Sequence, residues 1–548
     1  MLGNAIKRIL LTSVVAVASC SKPASTEVAD YIFTGGKIYT ADGERRFAEA
    51  MAIKGDAILF VGDNVTAAKF AGKRTQNIAL EGKLVLPGLH DAHLHPVGAM
   101  EVDTCSIDKN AMTLEELSGF VGDCVKRFEP PPGEWMFVEL WEFERGNQPG
   151  ERFKTIRQAL DAAAPDNPVL LEGTDGHHFA VNSRALATAR NAAGETVGLS
   201  AETLKSEFAE LAQYVGVDET GEPNGKLTES YIYSRLDTEA MEQAEAAKRL
   251  AHPERMMDVT LPRGITSFMD AAASPDMLEV YDKLLERGEF HARATLAQYY
   301  DPSEYRREDG TYDYDKLIAE ASAVRNKYAN SEFIKADYLK LFADGVLEGD
   351  PLAFPPTLPN AAAIHDYLQP LFAAADSGAR VTGYVDLDSA VCVAARAASA
   401  QGAPVDAKPF IETNGFHPLQ CEKSAGVLQH PAEVIRDYVN FGDKAGFTFH
   451  IHAIGDRSVK TALDAIEFAR NDHGSKTRHI VTHLQLVRPE DIARFKSLDA
   501  FASLTFAWAT IDPEYDLSVI PFIDRVDGPG GMYDPQGYYL KNAYPAES

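Results

Sequence analysis

Beyond Pro87 the sequence keeps one rhythm: a short apolar run, then a longer helix-like stretch, then another apolar run. The runs are Trp135 to Trp141, Val169 to Leu171, Ile265 to Met269, Thr295 to Tyr299, Tyr338 to Phe342, Phe447 to Ile451, His479 to Thr482 and Phe501 to Leu504. Strands that alternate with helices lie parallel, because each helix carries the chain back to the edge where the next strand starts. So many in one domain predict the α/β class and a (β/α)8 barrel of TIM type, with its eighth strand missing from the sequence. Residues 29–86 read differently. Tyr31 to Tyr39, Ala50 to Ile53, Ala57 to Gly62 and Lys83 to Leu86 are short runs broken by Gly-Gly, Gly-Asp and Asp-Gly, which predicts a small antiparallel β-sandwich lobe.

The expected division is therefore a leader over 1–19, a linker over 20–28, the small lobe over 29–86 and the barrel over 87–548. A stretch rich in Pro, Ala and Gly, about 350–431, interrupts the rhythm and is expected to be an insertion over the barrel mouth, where insertions shape substrate access. The 548 residues suffice for one large catalytic domain with an appended lobe. With 81 acidic against 53 basic residues, the formal charge is -28, which excludes nucleic acid and disfavours anionic membrane surfaces as partners. A small-molecule substrate remains.

Lys7 and Arg8 precede the apolar run Ile9 to Ala18, too short to span a membrane permanently, which reads as a signal peptide. It ends in Val17-Ala18-Ser19-Cys20, similar to the bacterial lipobox in which Cys20 would be lipidated and become the new N-terminus. Ser21 then implies outer-membrane retention. The expectation is an exported, periplasm-facing envelope lipoprotein that meets the membrane only through its anchor. Export would put Cys105, Cys124, Cys392 and Cys421 in an oxidising compartment. Sequence-local closure favours Cys105 with Cys124 and Cys392 with Cys421, but spacing does not decide connectivity, and buried thiols are an equal alternative.

His93 and His95 stand two apart at the end of an expected strand, so their side chains project to one face, close enough to share a metal ion. An isolated His-x-His is weak evidence. Its context is not, since it follows Pro87-Gly88 and Asp91 directly after the small lobe. Pro87-Gly-Leu-His-Asp-Ala-His-Leu-His-Pro96 resembles the first-strand signature of the amidohydrolase superfamily. Further segments are similar to its family 3 branch, which includes N-substituted formamide deformylase-like enzymes. They are Asp175-Gly-His-His-Phe-Ala-Val-Asn-Ser-Arg-Ala-Leu186, Gly221 to Glu229, Lys340-Leu-Phe-Ala-Asp-Gly345, His452-Ala-Ile-Gly-Asp456 and His483 to Pro489, in the family's order over about residues 29–547.

The resemblance implies one or two divalent ions, with zinc the metal that suits imidazole and carboxylate ligands. It gives His452 and His483 as ligands on the fifth and sixth strands, with His450 a core or outer neighbour. It gives Lys340 as a carboxylated lysine bridging two ions. An ammonium inside Tyr338 to Phe342 is costly to bury, and carbamate formation removes that charge, although a Lys snorkelling from a strand end reads equally from the residues. Glu229 is the rival bridging carboxylate or a helix-start Glu. His177 resembles a family His able to polarise a carbonyl. Asp344, Arg478 and Asp456 are weaker bridging or substrate-binding candidates, Asp456 being equally placed to cap a helix.

Family members carry an eighth-strand Asp in a Gly-Ser-Asp segment that takes the proton from the attacking water. No such segment precedes Ser548, so the expectation is a fragment of a longer chain, with a degenerate member as the alternative. The expected activity is metal-dependent hydrolysis of an amide or cyclic amide C–N bond other than a peptide bond. Alternatives are an inactive envelope-anchored metal- or ligand-binding protein, or a lactonase or phosphoesterase on the same scaffold.

Overall fold

The computed structural model describes residues 27–532 except 45, 144–145, 352, 354, 376–377, 402, 404, 506–507, 509–510, 527 and 529–530. The leader and Cys20 lie outside the described residues. The chain divides into two compact units, residues 1–89 and 90–548.

In the first unit Ile32, Ala50, Ala52 and Ala67 form a small core. Its four-stranded sheet runs Ala57–Gly62, Ala50–Lys54, Tyr31–Thr34, Gln76–Ala79, beside a three-stranded sheet of Phe47–Ala48, Lys37–Tyr39 and Leu84–Val85. The purely antiparallel lobe expected from the turns is corrected here. Tyr31–Thr34 is antiparallel to Ala50–Lys54 but parallel to Gln76–Ala79, and Lys37–Tyr39 is parallel to Leu84–Val85. The helical stretch Asn64–Phe70 carries the chain across, so the last strands enter in the direction of the first.

The second unit is built on β1 (Leu89–Leu94), β2 (Ile265–Ala273), β3 (Arg293–Tyr299), β4 (Ile334–Phe342), β5 (Thr448–Ala453), β6 (Ile480–His483) and β7 (Phe501–Leu504). These seven strands form one sheet in the order β7-β6-β5-β4-β3-β2-β1, a nearly closed TIM-type barrel with helices outside. Every pairing from β2 to β7 is parallel. Period-two alternation explains the middle of the sheet. Leu339 and Leu341 on β4, with Phe449 and Ile451 on β5, face outward into a cluster with Ile435, Tyr438, Val459, Leu463 and Ile466 of the covering helices. Each such buried side chain contributes about 1.5–3 kcal/mol. The alternate residues, Lys340 and Phe342 with His450 and His452, take the other face, and register pairs Lys340 with His450 and Phe342 with His452.

Two of the runs expected to be barrel strands are not. Met136–Trp141 and Val169–Gly173 are parallel neighbours in a separate six-stranded sheet with Cys105–Ser106, His178–Val181, Pro223–Thr228 and Val215–Val217. The helix Ile156–Ala163 lies between them in the chain. A single βαβ unit has the rhythm of a barrel segment, so patterning alone cannot tell which sheet such a strand joins. This sheet is inserted between β1 and β2. Between β4 and β5 stand a hairpin, Pro370–Ala375 with Gly378–Tyr384, and the helices Ala390–Ala400 and Ala407–Asn414. Disulfides join Cys105 to Cys124 and Cys392 to Cys421, so the sequence-local pairing holds over the buried thiols.

Candidate active site

The barrel's inward face concentrates imidazoles. The His93 ring lies 5.2 Å from that of His95, 5.0 Å from His450 and 4.6 Å from His483, and His452 lies 4.6 Å from His483. His93 Nδ1 is 2.9 Å from His450 Nε2 and 3.2 Å from Thr482 Oγ1. Sequence reading set His450 aside in favour of His452, yet the structure brings both to the cluster. Their spacing of two along one apolar run was the available signal.

Burial holds these rings neutral. It is the leading cause pulling His95 down to about 3 and His93, His450, His452 and His483 below the ordinary range, with the nearby Lys340 adding to each. A neutral imidazole keeps one lone pair for a ligand. The Nε2 of His452 is 3.1 Å from the Gly345 carbonyl oxygen, and donation there leaves Nδ1 as the lone-pair atom.

Lys340 is fully buried, and its Nζ has no hydrogen-bond partner among the described residues, lying 4.3 Å from the centre of the Phe342 ring. The snorkelling alternative is thereby removed. Burial lowers its pKa to about 7, against the opposing charge of Asp270. Asp270, within β2, is pushed up to about 6 by burial and accepts a hydrogen bond from the Tyr281 hydroxyl at 2.7 Å. Sequence reading missed it, although an acid directly after the apolar run Ile265 to Met269 was a usable mark.

His177 and Glu229 come from the six-stranded sheet. His177 Nδ1 is 2.9 Å from Glu229 Oε2, and Glu229 Oε1 accepts from the Val346 amide at 3.1 Å. Burial alone would lower the His177 pKa, but Glu229, then Asp175 and Glu348, outweigh it and hold the ring up at about 9. Glu229 has a φ of 72°, His483 of 77° and Leu484 of 56°. Such backbone costs about 1–3 kcal/mol per residue and gathers at functional sites. Gly345 is required by close approach, since a Cβ there would collide with the Glu229 carboxylate.

The weaker candidates sort differently. Asp344 is fully buried and accepts from the amides of Ala362, Ile454 and Gly455 at 2.9, 3.0 and 2.8 Å, which ties the loop after β4 to the insertion and to the end of β5. Those bonds make it a backbone anchor. Asp456 does not cap its helix. Its carboxylate accepts from the Ile364 amide at 2.8 Å and pins the insertion. Arg478 precedes β6, at the strand end opposite His483, where it pairs with Asp499 at 2.7 Å on the surface. It takes no part in the cluster.

Among the described residues no three His, Cys, Asp or Glu side chains already converge on one coordination point. The chemistry of the donors nonetheless fits a divalent cation. Neutral imidazoles surround an amine that has no acceptor among the described residues, and His450 Nδ1 is likewise buried without a partner among them.

Residues 76–409 and 403–520 match the amidohydrolase family. A stretch of 251 residues is 29% identical to Protein LONG AFTER FAR-RED 3 of Arabidopsis thaliana, covering 45% of this chain and 39% of that protein. Another, of 263 residues, is 28% identical to the N-substituted formamide deformylase of Arthrobacter pascens, covering 47% of this chain and 45% of that enzyme. The chain thus aligns with less than half the length of either relative. In fold it is similar to an uncharacterized metal-dependent hydrolase from Pyrococcus horikoshii OT3, with a TM-score of 0.51 at 16% identity over 86% of this chain and 74% of that one.

Proposed function

Because the chain belongs to the amidohydrolase family and is on that ground a hydrolase, we propose that it breaks a carbon–nitrogen bond other than a peptide bond, in an amide or cyclic amide of small size. His93, His95, Lys340, His452 and His483 would hold a divalent metal, zinc above others because its preferred ligands are imidazoles and carboxylates. Such an ion supplies a Lewis acid and a water acidic enough to be a nucleophile near neutral pH. The observation that carries this reading is the set of burial-neutralised imidazoles around a lysine amine that has no acceptor. A carbamate on Lys340 would replace that costly buried amine with an anionic oxygen ligand.

The remaining work falls to His177. Glu229 accepts from its Nδ1 and keeps the ring protonated at neutral pH, so Nε2–H is available to polarise a carbonyl and to steady the oxyanion that follows. The two disulfides suit an oxidising compartment, which supports export, and the lipobox-like run Val17-Ala18-Ser19-Cys20 is what supports Cys20 as the lipid attachment point.

The test is metal analysis of the full-length protein, followed by a hydrolysis screen over N-substituted formamides, cyclic amides, dipeptides, lactones and phosphoesters. Turnover of the first two classes, lost on chelation and reduced about 100-fold by His177→Ala, is the expected result. Bound metal without turnover of any class would overturn it in favour of a binding protein.

A further inference from the structure

Beside His177 lies a polar chain of which the proposed chemistry uses only the charge of Glu348, one of the acids that keep His177 protonated. Gln485 Nε2 donates to the Tyr515 hydroxyl at 2.9 Å, and that hydroxyl donates to Glu348 Oε1. Gln485 stands two residues after His483, and Glu348 follows β4, so they come from beyond the ends of the strands that carry His483 and Lys340. One hydroxyl touches both, which sets their head groups side by side. Glu348 is 5% exposed, and its Oε2 and the Gln485 Oε1 are buried acceptors without a partner among the described residues. Two orphaned acceptors on groups that share one hydroxyl call for a donor.

Charge says which kind. Glu229 has His177 at 2.9 Å, Asp175 has His178 at 2.7 Å, and Asp350 has Lys226. Glu348, the fourth acid of this group, has no cation of its own within salt-bridge distance among the described residues, only the Tyr515 phenol. Burial pushes the Glu348 carboxyl above its ordinary pKa, so it gives up its proton and carries full charge only when a cation arrives beside it. The partly buried rings of Trp508 and Tyr515 flank the acid, packed on the buried core of Val346, Leu347, Ile454 and Phe522, and the Trp508 ring lies 5.4 Å from that of His483. An alkyl stem could therefore run from the imidazole cluster to the acid.

We propose that Glu348 and Gln485, joined through the Tyr515 hydroxyl, select substrates bearing a cationic nitrogen group, an ammonium or guanidinium, on an alkyl stem. This rests on the hydrolase reading for the word substrate, but the site itself can be tested by binding alone.

The probes are N-pentylguanidinium and its neutral counterpart N-pentylurea, titrated calorimetrically into the metal-loaded full chain. The guanidinium cannot act as a metal ligand at neutral pH. It is expected to bind at least about tenfold more tightly than the urea, as a hydrogen bond to a charged partner allows. Glu348→Gln should bring the two within about twofold at unchanged metal content, and Gln485→Leu, which keeps the carboxylate, should cut the preference about threefold. Equal wild-type affinities, a preference that survives both substitutions, or loss of metal from Glu348→Gln would each overturn the proposal, the last by making Glu348 a metal ligand. Selective binding without hydrolysis of any amide would leave this inference standing and remove the hydrolytic one. Hydrolysis of amides with no charge preference would do the reverse.

Discussion

The absence of one Cβ decides how His177 is charged. Gly345 leaves room for the Glu229 carboxylate in the position from which it reaches both His177 Nδ1 and the Val346 amide. Gly345→Ala is therefore expected to displace the carboxylate and let burial dominate the imidazole, whose pKa should fall from about 9 toward or below its ordinary value of 6.5. Loss of one charged donor at a developing oxyanion costs about 100-fold in kcat. An NMR titration of His177 beside the rate of the hydrolysed amide checks this, and an unmoved titration with a reduced rate would count against the Glu229 link. Sequence could reach His177, because an Asp-Gly-His segment ahead of Asn182-Ser183 is a motif. It could not reach the reason for its charge, since Glu229 lies 52 residues away and Gly345 farther still. Glu348 lies in no motif, and Gln485 lies inside the His483 to Pro489 segment without a role read from it, so only their shared contact with Tyr515 marks them.

Elements are held to the barrel by a few such polar ties. Asp443, in the helix Ala432–Lys444, accepts from Thr477 Oγ1 at 2.7 Å and lies 3.1 Å from His479 Nε2, at the entry to β6. Burial pushes its pKa up, but the bonds from His479, Ser475 and Thr477 outweigh that and bring it down to about 2 from 3.8. A folded-state pKa below the unfolded one adds stability that is complete above the unfolded value and is lost as pH falls through the folded one. The window is therefore about pH 4 to 2, and the contribution at pH 7 is about 2 kcal/mol. Asp443→Asn should lower the melting temperature at pH 7, and its deficit against wild type should shrink as the pH drops through that window. A constant deficit would mean that packing, not ionisation, carries the tie. The strands themselves were legible because Leu339, Leu341, Phe449 and Ile451 alternate with Lys340, Phe342, His450 and His452, and period two needs only local sequence. Which sheet a strand joins is a long-range fact, so Met136–Trp141 read as barrel and is not. The same limit hid the parallel entry of Gln76–Ala79 into the small lobe.

At the scale of the molecule, the proposed ligands His93, Lys340, His452 and His483 sit on four strands drawn from a span of 390 residues, an inward face that collects charge-bearing groups at the expense of stability. Lys340 states the conflict most clearly, since a fully buried amine without an acceptor opposes folding until something at the site compensates it. A cation bound by the folded state alone at 1,000 times its dissociation constant adds about 4 kcal/mol. Metal-stripped wild type should therefore melt below the zinc-loaded protein by at least about 5 °C. Lys340→Met keeps the length of the side chain and removes the polar head, so the two states should respond in opposite directions. Without metal the variant should melt at or above wild type, because the buried amine is gone. With zinc it should melt below wild type, because a ligand is gone. Differential scanning fluorimetry of both proteins, chelated and zinc-loaded, separates these effects. An equal drop in both states would assign Lys340 to packing and remove it from the metal site.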